Sequence, residues 1–372
     1  MKIFHLSDLH LGKRVCSQSL AEDQEHILHQ IVEQVRTEKP DAVIIAGDVY
    51  DRSVPSEDAV DLFDDFLYEL SALKTNVLIV SGNHDSAERL AFGGRIFNKS
   101  GIHISPEFNG KITSVTLSDE HGDVDFYLLP FVTPAAVRKK YENETIEDCT
   151  DAVRLLINEA GIDTARRSVL IAHQFVTGAE RTEESETYFV GNAENVDAAV
   201  FEPFDYVALG HLHRPQNVGS SKIRYCGTPM KYSFAEVGHK KSITVLELAE
   251  KGNINIREIA LAPLRDWVIK KGKFADLILE SSDDYVKVLL TDEDDVPNAM
   301  ARLRDPFPNI LFMDYERAQT AASYTFAEIE AVQTASPAEL FGEFYRSQNN
   351  GRELNERQLE IVKEIFDEVV KG

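Results

Sequence analysis

Thiols, basic charge and long apolar runs are all scarce in this chain of 372 residues. Only three cysteines occur, Cys16, Cys149 and Cys226, scattered without CxxC spacing, which argues against a disulfide framework and suits a reducing cytoplasm. No apolar stretch approaches the roughly 20 residues that a bilayer span needs. The longest, such as Ala42 to Ala46 and Val77 to Val80, have the length of strands. The opening Met1-Lys2-Ile3-Phe4-His5 lacks the basic and apolar regions of a secretory signal, so no membrane association is expected. Lys+Arg number 39 against 63 Asp+Glu, a net charge of −24 that weighs against gripping nucleic acid with a broadly basic surface. The acidity is not confined to a tail, because the part from Pro263 onward holds 13 basic and 22 acidic residues and the remainder keeps the larger deficit.

What is present is the composition of a globular protein, 43% hydrophobic and 27% charged, long enough for two or three domains. Short apolar runs alternate with amphipathic stretches, the pattern of strands interleaved with helices. Lys2 to Leu6, Ala42 to Ala46, Val77 to Val80, Val124 to Leu129, Ser168 to Ala172 and Tyr206 to Leu209 read as strands. Ser19 and Glu22 predict a capping box for a helix carrying Ile27, Ile31 and Val35 and stopped by Pro40. A second helix, about Ser56 to Leu73, sets Val60, Phe63, Phe66, Leu67 and Leu70 on one face. Ile223 to Leu261 is strand-rich. Near Pro263 the style changes to three strands, Trp267 to Lys271, Tyr285 to Thr291 and Asn309 to Tyr315, with a helix at Asn298 to Arg304, enough for a small α+β domain. Ser336-Pro337-Ala338-Glu339 predicts a helix start, with Leu340, Phe341, Phe344 and Tyr345 on one face. A last helix would carry Ile361, Val362, Ile365, Phe366, Val369 and Val370. The expected domains are therefore 1–262, 263–320 and a helical 336–372.

Five polar motifs lie at the ends of predicted strands or in the loops that follow. They are Asp8-Leu9-His10, Gly47-Asp48-Val49-Tyr50-Asp51, Gly82-Asn83-His84-Asp85, His173 alone, and Gly210-His211-Leu212-His213. Strand carboxyl ends of α/β sheets are where sites form, so five such ends can converge on one crevice. Each motif has an ordinary reading by itself: Gly-Asp is a common turn, and a lone histidine is more often structural than a ligand. Their joint occurrence in this order is what carries the metal reading. Carboxylate, imidazole and amide oxygen together suit manganese, iron or zinc better than magnesium, which prefers oxygen donors, or a structural zinc, which recruits thiolates.

These motifs resemble the signature of the calcineurin-like metallophosphoesterases. The segments FHLSDLHLGK, AGDVYDRSVPS, VSGNHDSAERL, DYVALGHLHRPQ and RYCGTPMKYSF further resemble the nuclease subunits of bacterial DNA double-strand-break repair complexes, over nearly the whole chain. The resemblance implies an α/β fold, a four-layer metallophosphoesterase β-sandwich flanked by helices, with a small α+β capping domain that binds DNA and C-terminal helices that dock a partner. It implies two divalent ions, most simply Mn²⁺, with Fe²⁺ or Zn²⁺ as alternatives. One would be held by Asp8, His10, Asp48 and His213, the other by Asp48, Asn83, His173 and His211, so that Asp48 bridges. His84 would be a catalytic histidine that is not a ligand, with Asp85 orienting it. Where archaeal relatives place a histidine just after Gly-Asp-x-x, this chain has Asp51, so a DNA-positioning role tied to that histidine is not carried over.

Lys13, Arg14, Arg89 and Arg214 are the expected substrate-binding cations, within a wider basic set of Arg95, Lys222, Arg224 and Lys231. The resemblance implies DNA and a coiled-coil, SMC-like ATPase as partners, with a homodimer inside a heterotetramer in the nucleoid. The expected activity is exonuclease on DNA ends and endonuclease on single strands or hairpins, in repair, recombination and replication. A dimetal phosphodiesterase or phosphatase acting on nucleotides or phosphoproteins is the competing reading.

Overall fold

The computed structural model describes residues 1–182 and 195–316, and in the C-terminal stretch residues 341–342, 345–346, 353–355, 357–362 and 366. The chain divides into two compact units, residues 1–269 with 283–287, and residues 270–282 with 288–372.

In the first unit, β1 (Lys2–Leu6) leads to α1 (Ala21–Glu38), then β2 (Ala42–Ala46), α2 (Glu57–Ala72) and β3 (Asn76–Val80). The three strands pair in parallel, which requires crossover connections such as these helices supply. Short β4 (Ile102–Ile104) continues the sheet. A second sheet begins with the antiparallel pair β5 (Thr113–Asp119) and β6 (Gly122–Leu129), followed after α3 (Cys149–Glu159) by β7 (Arg167–His173) and β8 (Tyr206–Gly210). The ribbon β9 (Gln216–Val218) and β10 (Ser220–Tyr225) completes it, in the order β9-β10-β8-β7-β6-β5. The chain then returns to the first sheet with β11 (Ser242–Leu248) and β12 (Ile254–Ala260), giving β12-β11-β1-β2-β3-β4. Both sheets are six-stranded and mixed.

Alternation along the strands explains the layering. Ile3, Ile44, Leu78 and Val80 of the first sheet and Phe126, Leu128, Val169, Ile171 and Ala208 of the second form one apolar cluster. The neighbouring residues Tyr127, Leu129, Leu170, Ala172, Val207 and Leu209 join a separate cluster with Val153, Leu156 and Ile157 of α3. Val43, Ile45, Val77 and Ile79 are fully buried on the other side of the first sheet, where α2 meets β3. Helix, sheet, sheet and helix make the expected four layers.

Two local expectations fail. The capping box does not form, because Gln18–Ser19 pairs with Arg14–Val15 in a small ribbon and the helix begins at Ala21 with Leu20 at the cap position, so that Ser19 Oγ accepts from Ala21 N at 3.3 Å instead. Val60 is 43% exposed, at the margin of the stripe that buries Phe63, Phe66, Leu67 and Leu70. Pro40 does end α1, after Lys39 has turned into the left-handed region.

The second unit has its own core, in which Phe274, Leu277, Val288, Leu290, Leu303, Phe307 and Ile310 are buried. The strands Trp267–Gly272, Tyr285–Leu290 and Ile310–Tyr315, of which residues 267–269 and 285–287 are grouped with the first unit, form a three-stranded sheet in chain order, with a helix at Ala299–Leu303 before the last. Residues 341–342, 345–346 and 357–362 are helical. The expected helix start at Ser336 to Glu339, and Leu340, Phe344, Ile365, Val369 and Val370, lie outside the described residues. Among the described residues no helix is long and apolar enough to cross a membrane.

Candidate metal centre

The loops after β1, β2 and β3 meet the ends of β7 and β8. Backbone bonds lace the first two loops together: Asp8 N–H donates to Gly47 O at 2.9 Å, His10 N–H to Asp48 O at 3.0 Å and Leu11 N–H to Val49 O at 2.9 Å. Asp8, His10, Asp48 and His211 all have positive φ, from 44° to 104°. Such backbone costs about 1–3 kcal/mol per residue and concentrates at functional sites. It turns each side chain toward one point instead of along its strand.

At that point the structure brings the expected side chains together. Asp8, His10, Asp48, His173 and His213 are all essentially buried. Asp8 with His10 and His213, His10 with Asp48 and His84, and Asp8 with Asp48 and His173 each place their donor atoms within 4.8 Å of one another. His10 Nε2 faces His213 Nε2 at 3.2 Å. Asn83 Oδ1 lies 3.1 Å from His173 Nε2 and 3.0 Å from His211 Nδ1. Asp48 Oδ2 is 3.3 Å from His173 Nε2 and 3.9 Å from His10 Nε2, central to both groups. Donors bound at about 2.0–2.2 Å around a cation stand roughly 3 Å from their neighbours, so these separations fit metal coordination.

The ring orientations agree. His173 Nδ1–H donates to Ala46 O at 2.8 Å, because a carbonyl can only accept, and this leaves Nε2 aimed at Asp48 and Asn83. His213 Nδ1 engages Glu236 Oε1 at 3.0 Å, again leaving Nε2 for the centre. His10 Nδ1 is buried without a hydrogen bond. Burial drives the His10 ring well below its ordinary pKa and, helped by His173, takes His211 to about 3, which favours the neutral form of both rings. Burial also opposes charge on His173, but the Asp48 and Asp8 carboxylates overcome it and raise that ring to about 9. Burial raises Asp8 as well, despite its histidine neighbours.

His84 differs from the ligands. Its side chain is 30% exposed, its Nδ1 donates to Asp51 O at 2.9 Å and its Nε2 stands 4.0 Å from Asp48 Oδ2, facing the opening. Asp85 does not orient it. Both carboxylate oxygens of Asp85 accept from backbone, namely Gly82 N at 2.9 Å, Tyr50 N at 3.0 Å and Val49 N at 3.2 Å, so Asp85 ties the loops and the Asp51 carbonyl sets the ring. Burial, with Asp48 nearby, lifts Asp85 to about 6.

The basic residues are less free than the sequence suggests. Lys13 pairs with Asp51 at 2.7 Å and Arg214 with Glu180 at 2.6 Å. Arg14 is exposed and bonded to Ser17 O, and Arg89 is exposed on the helical turn Ala87–Leu90. Arg224 is buried against Glu258, Asn217 and Thr244, Lys222 donates to the Glu202 carbonyl, and Lys231 pairs with Asp266. Missing from the sequence reading were Glu236 and Gln24, the latter donating to the His10 carbonyl at 2.7 Å. Neither stands in a motif.

Two facing mixed sheets with carboxylates and imidazoles gathered on their loops define a phosphoesterase of the calcineurin-like class. Residues 1–215 match the family model described as calcineurin-like phosphoesterase, and residues 261–349 match that of the type 5 capsule protein repressor C-terminal domain, SbcD_C. The SbcD subunit of the nuclease SbcCD from Staphylococcus epidermidis (strain ATCC 12228 / FDA PCI 1200) is 30% identical over 374 residues, covering 98% of each chain. The chain belongs to the calcineurin-like phosphoesterases and, within them, to the SbcD family of nuclease subunits.

Proposed function

We propose that this chain hydrolyses DNA phosphodiesters with two divalent ions, exonucleolytically at ends and endonucleolytically on single strands or hairpins, as the nuclease subunit of a complex with a coiled-coil ATPase. The observation that carries the reading is the complete ligand set around Asp48. Asp8, His10, Asp48 and His213 would hold one ion, and Asp48, Asn83, His173 and His211 the other. Bound there, the pair would supply a hydroxide at neutral pH and neutralise charge on the phosphoryl oxygens.

The protein's own part is positioning. Asp48 Oδ1 accepts from His84 N at 2.9 Å, and Asp8 accepts from His211 N at 3.0 Å, so each carboxylate is fixed by a backbone N–H from another loop. His84, with Nδ1–H held by the Asp51 carbonyl, presents Nε2 to the opening, where it would hold a proton at the leaving 3′ oxygen or bond a phosphoryl oxygen. Arg14 and Arg89, both exposed, would be the cations that meet DNA phosphates. The small unit would act as the DNA-binding cap and the C-terminal helices as the ATPase dock, in the helix-in-groove manner. A second copy would pair through helices of the first unit, where Tyr68, Phe92 and Ile96 are 74%, 84% and 72% exposed. Manganese is the first choice of metal on the mixed nitrogen and oxygen donors.

The purified chain is expected to degrade linear DNA with Mn²⁺, and His84→Ala to abolish cleavage by a factor of about 10² or more while binding the same number of ions. Intact DNA alongside rapid turnover of a small nucleotide diester would replace this reading with the phosphodiesterase alternative.

A further inference from the structure

Behind His213, on the side away from the metal centre, lies a buried ion pair that the chemistry described so far leaves unused. Glu236 is fully buried, and its Oε1 accepts a hydrogen bond from His213 Nδ1–H at 3.0 Å. Its Oε2 is bonded by Lys241 Nζ at 2.6 Å, and that ammonium also donates to the His213 carbonyl at 2.8 Å and to Thr228 Oγ1 at 2.5 Å. Lys241 is itself 7% exposed. Three donors on the ammonium meet three acceptors, so the lysine is saturated.

A buried pair of this kind gives a fold little net stability, since desolvation consumes most of the attraction. Its geometry explains its presence better than stability does. Two side chains converge on one residue, the carboxylate on the His213 ring and the lysine on the His213 backbone, while Thr228 bonds both Lys241 and Glu236, the latter at 3.4 Å. The carboxylate fixes the tautomer with hydrogen on Nδ1, which frees the Nε2 lone pair, and its negative charge makes that lone pair a stronger donor. The lysine holds the carboxylate in place and anchors the carbonyl of the same residue. No comparable carboxylate stands behind His173, whose Nδ1 meets only the Ala46 carbonyl in the bonds described.

We propose that Glu236 and Lys241 are positioning residues that tune His213 and so set the affinity of the ion held by Asp8, His10, Asp48 and His213, leaving the other ion to weaker donors. The two sites are thereby graded, and the Glu236 side fills first. The inference rests on the two-ion reading, so the two must fail separately.

Mn²⁺ binding by the full chain, followed by titration calorimetry in the absence of DNA, provides the test. Wild type is expected to bind two ions in resolved steps. Glu236→Gln paired with Lys241→Met removes both charges together and avoids stranding a buried ammonium. It is expected to weaken one step about 10–100-fold and leave the other unchanged, with the fold checked by circular dichroism. Glu236→Asp, which keeps the charge but withdraws it by one methylene, is expected to weaken the same step less, and it gives the answer if the double variant does not fold. A folded variant with both steps unchanged, or with both weakened alike, overturns the inference. Absence of any Mn²⁺ binding by wild type overturns the two-ion reading instead.

Discussion

Gly210 shows how little room the centre leaves around its polar atoms. A Cβ at this position would lie 1.9 Å from the Ala46 carbonyl oxygen and 2.8 Å from His173 Nδ1. The first of these is backbone of the neighbouring sheet, which cannot swing aside as a long side chain would. Gly210→Ala is therefore expected to lower stability by about 1–3 kcal/mol or more, and to weaken metal binding through both His173 and His211. Thermal unfolding and Mn²⁺ titration of the same variant check the two effects. At this scale the motif side chains were legible, because each of Asp8, His10, Asp48, Asn83, His173, His211 and His213 sits within four residues of a strand end and short loops leave it few directions. Asp85 was assigned to His84 on adjacency alone; the spacing of Gly-Asn-His-Asp does not reveal that three backbone N–H groups claim its carboxylate. Glu236 and Lys241 left no signal, because they reach His213 through space across 23 and 28 residues from a segment without periodicity.

At the scale of the elements, the strands were legible from apolar runs and the helices from their spacing, while the ends depended on competition between neighbours. Ser19 is a sound capping residue by type, but its backbone is taken up by the ribbon with Arg14, so its Oγ meets Ala21 N at 3.3 Å rather than the Glu22 N–H that a capping box needs. A pin at the other end of the strands, in none of the motifs, was also invisible. Arg167, buried at the start of β7, donates to Asp119 at the end of β5 and to the carbonyls of Gly122, Leu248 and Ala249, so it joins strands of both sheets. Arg167 holds the Asp119 carboxyl well below the usual carboxylate range, against a smaller desolvation effect. A native pKa below the unfolded value of about 4 means that the pair stabilises the fold above that pH and loses its contribution as pH falls through the native value. Asp119→Asn should therefore lower the melting temperature at pH 7, and the gap to wild type should close progressively below pH about 4. A gap that persists unchanged in acid would rule out the carboxylate as its source.

For the whole molecule, the charge of −24 meets a centre whose nearby cations are mostly spoken for, Lys13 by Asp51 and Arg214 by Glu180. The isolated chain should bind DNA weakly, with affinity falling steeply between 50 and 200 mM salt and dropping further on metal removal, as fluorescence anisotropy with a labelled duplex would show. Tight binding at 200 mM salt without metal would contradict that picture. Retention of the ATPase by a chain truncated before Ser336 would likewise remove the C-terminal helices as its dock. The order of the ligands along the chain also governs how such an enzyme is made. Asp8 is bonded to His211, 203 residues further along the chain, and the ligands come from both sheets. A ribosome releases Asp8, Asp48 and His84 long before His211 and His213 exist, and until β8 pairs beside β7 the early residues have nothing to face. Hydrolytic competence thus arrives late and all at once, because an unfinished copy holds only the half of the centre that the first sheet supplies.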